Sequence, residues 1–229
     1  MDAKALLDQL LQSGQQWLEK GQRIAEEKLD IPPEGEKREA VLDGMKKGAV
    51  AAGALALLLG TRGGRAVTGT ALKLGSVAAL GGLAWKAYQD WMQGSGQQPP
   101  SDAKPLDRLE GEALDRRSTQ IIRAMIAAAK ADGHIDEEEK RRIDQQIAEM
   151  NLVDGAADFI ARELDKPLNI HDVVEGVDDP EAAVEIYLAS RMVIDVDNTP
   201  ERIYLKSLAR ELKLSDDLVE RLDKVVQSS

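Results

Sequence analysis

The chain has 229 residues, a net charge of −11 and no cysteine. Disulfides, thiolate metal sites and Cys–His nucleophilic chemistry are therefore excluded. Charged residues make up 31% of the chain and aromatics only 3%, with Ala, Leu, Glu, Lys and Arg prominent, and no run alternates β-branched and aromatic residues at period two. The expectation is an all-α fold without a sheet. Charge is uneven: residues 1–105 carry 13 Lys/Arg against 12 Asp/Glu, and residues 106–229 carry 17 against 29. The acidic half repels phosphate backbones, so no nucleic-acid partner is expected.

Residues 1–43 read as an amphipathic helix followed by a proline-containing linker. Over residues 3–30, Leu6, Leu7, Leu10, Leu11, Trp17, Leu18 and Ile24 gather on one helical side. Ile31-Pro32-Pro33 ends that helix, because proline cannot continue it and restricts its predecessor. Met1 to Leu11 lacks a cationic start followed by an apolar run and cleavage site, so it does not read as a secretory signal.

Residues 44–92 form a Gly/Ala-rich apolar segment. Between residues 44 and 89 there is no acidic residue, while Lys46, Lys47, Arg62, Arg65, Lys73 and Lys86 supply six cations. Two apolar runs, Gly48–Gly60 and Ala66–Trp85, flank a Thr61–Arg65 turn, which predicts a helical hairpin. A span needs about 20 apolar residues, and a lysine in hydrocarbon costs about 2.5–3.5 kcal/mol. The first run is too short to span alone and Lys73 interrupts the second, so the pattern leaves spanning and interfacial binding both open. Gly48, Ala52, Ala56 and Gly60 form a small-residue stripe, as do Ala71, Gly75 and Ala79, and such faces suit close helix pairing, including homo-oligomer formation. Trp85, Tyr88 and Trp91 form an aromatic stripe of the kind found at membrane–water interfaces. The segment is therefore expected to bind membrane lipid. The alternative is a soluble hairpin packed on the rest of the protein.

Residues 93–105 read as a flexible linker, with Gly94-Ser95-Gly96-Gln97-Gln98-Pro99-Pro100-Ser101 at its centre. Residues 106–229 then form an acidic domain of seven predicted helices: Leu109–Lys130, Glu137–Leu152, Gly155–Leu164, Ile170–Gly176, Pro180–Ile194, Pro200–Leu214 and Asp216–Val226. The start signals are Asp136 with Glu139, Asp179-Pro180, Thr199-Pro200 and Ser215.

Two passages of this domain resemble each other. After one helix comes Asp132-Gly133-His134-Ile135-Asp136-Glu137-Glu138-Glu139, and after another comes Asp195-Val196-Asp197-Asn198-Thr199-Pro200-Glu201. Each puts aspartate at a helix exit and glutamate in the next helix's first turn. Two such turns packed face to face could supply the several oxygens that Ca²⁺ or Mg²⁺ requires. The EF-hand pattern is absent, since the sixth loop position is Glu137 or Pro200 and the twelfth is Ile143 or Lys206. The competing reading is that these carboxylates cap helices and complement their dipoles.

The passage KADGHIDEEEKRRI, followed downstream by IDVDNTPERIYLKSLARELKL, resembles the TerB-like fold of tellurite-resistance proteins. With the preceding apolar segment ending in GGLAWKAYQDW, the order of parts over about residues 44–229 is similar to YebE-type bacterial inner-membrane proteins of unknown function. The resemblance implies a C-terminal TerB-like bundle and a bacterial inner-membrane location, with metal ligands at Asp132, Glu139, Asp195 and Glu201 and additional ligands at Asp136 and Asp197. The second loop departs from the Asp-Gly form, having Asp195-Val196.

Nothing in the chain marks a catalyst. No nucleophile elbow, Walker loop, dinucleotide fingerprint or His-Glu-x-x-His motif occurs, and the two histidines, His134 and His171, lie far apart in sequence. The expected function is a non-enzymatic, membrane-associated protein with a divalent-metal-binding interaction domain and a protein partner, acting in envelope or metal stress. The alternatives are a scaffold whose acidic loops are only caps, and a metal-dependent hydrolase.

Overall fold

The structure is a computed structural model, and it describes residues 1–12, 76–131, 152–194 and 199–228 together with positions 141, 143, 144, 147, 148 and 196. Every regular element among these residues is helical, as the composition predicts, and no strand occurs among them. The helices are α1 (residues 3–12), α2 (Val77–Gly94), α3 (Gly111–Ala129), α4 (Ala156–Asp165), α5 (Ile170–Val174), α6 (Pro180–Val193), α7 (Thr199–Glu211) and α8 (Asp216–Ser228). A single 3₁₀ turn, Leu106–Arg108, precedes α3. Positions 141, 143, 144, 147 and 148 are helical too, within the predicted Glu137–Leu152 helix.

Local chemistry sets most boundaries. Asp179 caps α6 by accepting from the Ala182 amide at 2.7 Å, and Pro180 follows at the first helical position, where a missing N–H costs nothing. Ser215 accepts from the Leu218 amide at the start of α8, and Asn169 accepts from the His171 amide at the start of α5. Gly155 enters α4 at a φ of 77°, a left-handed conformation that glycine adopts without a Cβ penalty. Ser76 caps α2 by accepting from the Ala79 amide.

α6 is the axle of the bundle. Every residue from Glu181 to Met192 is buried, because α2, α3, α7 and α8 all pack against it. α2 also packs on α8, and α3 on α4 and α5. A helix surrounded in this way must satisfy any charge it carries. Glu185 and Arg191 meet that demand through partners on other segments, described below.

The core reaches well beyond residues 106–229. Leu6, Leu7, Leu10 and Leu11 of α1 and Val77, Leu80, Ala84, Trp85, Tyr88 and Met92 of α2 belong to one apolar cluster with α3, α6 and α8. α1 is fastened by polar contacts as well. Asp115 of α3 accepts from the Ala3 and Lys4 amides, capping α1 from outside, and Asp8 accepts from the Val77 amide at 2.9 Å, capping α2 in turn. Gln9 accepts from the Val153 amide.

This corrects the role expected for the aromatic stripe. Trp85 is 8% exposed and Tyr88 6%, and Trp91 packs against the core, the three rings stacking in sequence at centroid separations of 5.6 and 5.8 Å. Trp85 and Tyr88 thus face the protein core, and Trp91 is half-buried beside them. The physical reason is that an apolar helical face has the same periodicity whether it meets a bilayer or a core. Within the predicted linker Gln97 donates to the Met92 carbonyl and Ala103 to the Pro100 carbonyl, and Leu106, directly after it, is buried. Among the described residues no helix is long and apolar enough to cross a membrane. The predicted run Gly48–Gly60 lies outside the described residues, as do residues 66–75 of the run Ala66–Trp85.

Gly81 lets α2 pack tightly against the segment before α3. A Cβ there would meet the Asp107 amide nitrogen and the Leu106 Cβ, each at 2.9 Å, whereas nothing lies within 4 Å of a Cβ on Gly82. Gly81→Ala is expected to destabilise by about 1–3 kcal/mol through overpacking. Gly82→Ala should stabilise by up to about 1 kcal/mol through helix propensity. Urea midpoints of the two variants should therefore move in opposite directions.

Candidate metal-loop stems and the buried charge cluster

α3 and α6 run side by side in the same direction. Near their starts, Arg117 of α3 reaches Asp179 and Glu185 of α6; further along, the Ser190 hydroxyl of α6 lies 3.5 Å from the Ala124 carbonyl of α3. Their last turns, with the buried residues Ala129, Ala131, Met192 and Ile194, therefore lie at the same end of the bundle. The two acidic passages of the sequence follow directly on these ends, at Asp132 and at Asp195.

Each helix exit is held by a cation bonded to backbone carbonyls. Lys130 Nζ donates to the carbonyls of Glu163 at 3.2 Å, Leu164 at 2.9 Å and Lys166, satisfying the acceptors left over at the end of α4. Burial lowers the Lys130 pKa, with Glu163 opposing. Arg191 Nη1 donates to the Ile194 carbonyl at 2.7 Å, and its Nε donates to Asp223 of α8 at 3.1 Å. Asp223 also accepts from the Tyr187 hydroxyl. The sequence reading missed both cations, since their partners, backbone carbonyls and the distant Asp223, leave no local signal.

Of the six carboxylates assigned to metal binding, only Glu201 is described. It sits half-buried in the first turn of α7. Asp132, Asp136, Glu139, Asp195 and Asp197 lie outside the described residues, as does His134. Among the described residues there is no cluster of three or more His, Asp or Glu side chains that could hold a metal ion. His171 is exposed on α5.

A second group of charges runs from the surface inward: Asp179 is exposed, while Arg117 and Glu185 are buried. Glu185 is 1% exposed; its Oε1 accepts from the Leu106 amide and its Oε2 from Arg117 Nη1, both at 2.6 Å. Arg117 Nη2 donates to both Asp179 oxygens at 2.9 and 3.1 Å. Burial pushes the Glu185 carboxyl up to about 7, against the pull of Arg117 and the Leu106 amide. Glu181 is also raised by burial, and Tyr88 is raised by its own burial and by Glu181. Both Glu185 oxygens are occupied by protein donors, so this cluster fastens the Leu106 turn, α3 and α6 together.

The observed class is thus an all-α bundle around a buried central helix, with two acidic passages following neighbouring, parallel helices. The chain belongs to the family described as Protein of unknown function (DUF533), which matches residues 44–226. It is 30% identical over 114 residues to a Yersinia enterocolitica protein described as "Uncharacterized protein in ampR 5'region", an overlap covering 50% of this chain and 82% of that one. No solved structure gives a significant match.

Proposed function

We propose that this is a non-enzymatic, membrane-associated protein of the TerB-like, YebE type, whose helical domain binds a divalent cation between its two acidic passages and presents a surface to a protein partner. The cation is Ca²⁺ or Mg²⁺, hard ions that favour carboxylate oxygen. The observation that carries the reading is the parallel pairing of α3 and α6, whose adjacent exits lead into Asp132 and Asp195. Lys130 and Arg191 support it by anchoring those exits to α4 and α8, which limits the ordering a bound ion would require. Binding would neutralise carboxylates and stiffen the α3 and α6 exits. Membrane association rests on the acid-free stretch from residue 44 to Gly75, with five cations among small apolar residues, each worth about 1 kcal/mol beside anionic lipid. The resemblance to YebE-type proteins supports a bacterial inner-membrane location, and we propose a role there in envelope or metal stress.

Calorimetric titration of the full chain with Ca²⁺, Mg²⁺ and Mn²⁺ tests the metal site. Saturable binding is expected, with a Kd between about 10⁻⁶ and 10⁻³ M. An Asp132→Asn, Asp195→Asn double variant should weaken it at least about tenfold. No heat at millimolar metal, or unchanged binding in the double variant, removes the site and leaves carboxylates that cap helices as Asp179 does. Cell fractionation provides the membrane arm. Deleting residues 48–75 should release the protein to the soluble pool, and the deletion stops there because α2 belongs to the core.

A further inference from the structure

We infer that the groove between α7 and α8 is a docking site for an acidic amphipathic helix of a protein partner. The inference is independent of the metal site and of the membrane segment.

The groove follows from the packing of the last two helices. α7 rests on α3, α5 and α6, while α8 rests on α2 and α6. Joined by the turn through Lys213, they diverge across α6 and leave an open trough of about 580 Å³ with Tyr187 of α6 on its floor. Val196, Leu214 and Val219 contribute half-buried apolar surface to it. Ile203 stands at its rim with 60% of its surface exposed, although most large apolar residues described in this chain are buried. A single exposed isoleucine would need no explanation, but one beside an apolar trough extends a continuous apolar strip.

The charge along the rim identifies the occupant. Arg202, Lys206 and Arg210 line the same groove and recur every fourth residue, so they form one row along α7. Arg202 donates to Thr199, and Arg210 faces Glu211 at an exposed 3.7 Å. The row stands out in a region holding 29 acidic residues against 17 basic. On the α8 side the trough carries Asp216 and Asp223, and Asp223 is engaged by Arg191 and Tyr187. An apolar trough with one cationic rim complements a helix with apolar residues at i, i+3 or i+4 and i+7 and carboxylates along one flank. A bilayer is a poorer fit, because its flat face does not enter a concave trough and its anionic headgroups would meet the surrounding acidic surface.

The probe is a fluorescent synthetic helix of about 18 residues, with Leu at those spacings and Glu along one flank. A matched peptide carries Lys in place of Glu, and a third is scrambled. Anisotropy titration against the full chain should give saturable binding of the Glu peptide at about 10–100 µM and none of the scrambled one. An R202E/K206E/R210E variant should weaken the Glu peptide at least tenfold and favour the Lys peptide. Ile203→Asp should weaken both peptides. All four side chains are exposed, so far-UV circular dichroism of the variants should match the parent. The proposal is overturned by absence of binding up to about 1 mM peptide, or by equal affinities in parent and variants. It is also overturned if the cationic row instead mediates co-sedimentation with phosphatidylserine vesicles, or a dimer in analytical ultracentrifugation that the triple variant dissociates.

Discussion

A chain cut to residues 106–229 is expected to lose cooperative unfolding, even though its composition reads as a self-contained acidic domain. The cut removes Leu6, Leu7, Leu10 and Leu11, all buried, together with Leu80, Ala84, Trp85, Tyr88 and Met92. Each buried leucine contributes about 1.5–3 kcal/mol, so the four from α1 alone supply roughly 6–12 kcal/mol of burial. A domain's whole net stability is about 5–15 kcal/mol. α2 supplies a comparable amount and covers α6 along one side. The truncated chain would expose that side, bind hydrophobic dyes and melt broadly. A second chain, with residues 13–75 replaced by a Gly/Ser linker of about ten residues, should keep a sharp transition. Asp8 bonds the Val77 amide, so the ends to be joined are close. A sharp, parent-like calorimetric transition for 106–229 alone would refute the single-core reading.

The second large effect centres on Arg117. Arg117→Ala is expected to cost about 3–5 kcal/mol in urea unfolding at pH 8, because it leaves the buried Glu185 carboxylate without its counter-charge. The cost should shrink at pH 5, where Glu185 can accept a proton. In the parent, Glu185 has its pKa raised from 4.5 to about 7, so between those values the folded state binds more protons than the unfolded one. Its contribution to stability is therefore full below about 4.5 and is lost as pH rises through about 7. Glu185→Gln removes this titration. The stability of the parent relative to that variant should fall by up to about 3 kcal/mol from pH 4.5 to pH 8. A pH-independent difference, or an Arg117→Ala cost below about 1 kcal/mol, would show that the cluster does not couple the Leu106 turn to α6.

Docking on α7 and ion binding at the α3 and α6 exits would involve neighbouring parts of the fold. Val196 lines the groove and follows Asp195 directly. A comparison of Glu-peptide affinity with and without Ca²⁺ therefore measures whether the two sites communicate, as a coupling free energy that must be equal in both directions.

Local stereochemistry made the helices legible in advance. Asp179-Pro180, Ser215 and Gly155 each dictate a backbone start within one turn, and the structure places α6, α8 and α4 next to them. Helix content and the acid-poor stretch from residue 44 to 89 are likewise properties of the chain alone. The destination of each apolar face was not legible. Trp85 and Tyr88 have the spacing of either a membrane-facing or a core-facing stripe, and only the presence of α6 and α8 beside them decides for the core. Glu185 with Arg117, Gly81 with Leu106, and Arg191 with the Ile194 carbonyl depend on how separate segments are brought together. Periodicity states which residues share a side of a helix, but burial depends on what else the folded chain brings to that side. For that reason the sequence alone determined the starts of α4, α6 and α8 and the distribution of charge, and the tertiary structure decided that α1 and α2 belong to the same core as the acidic domain.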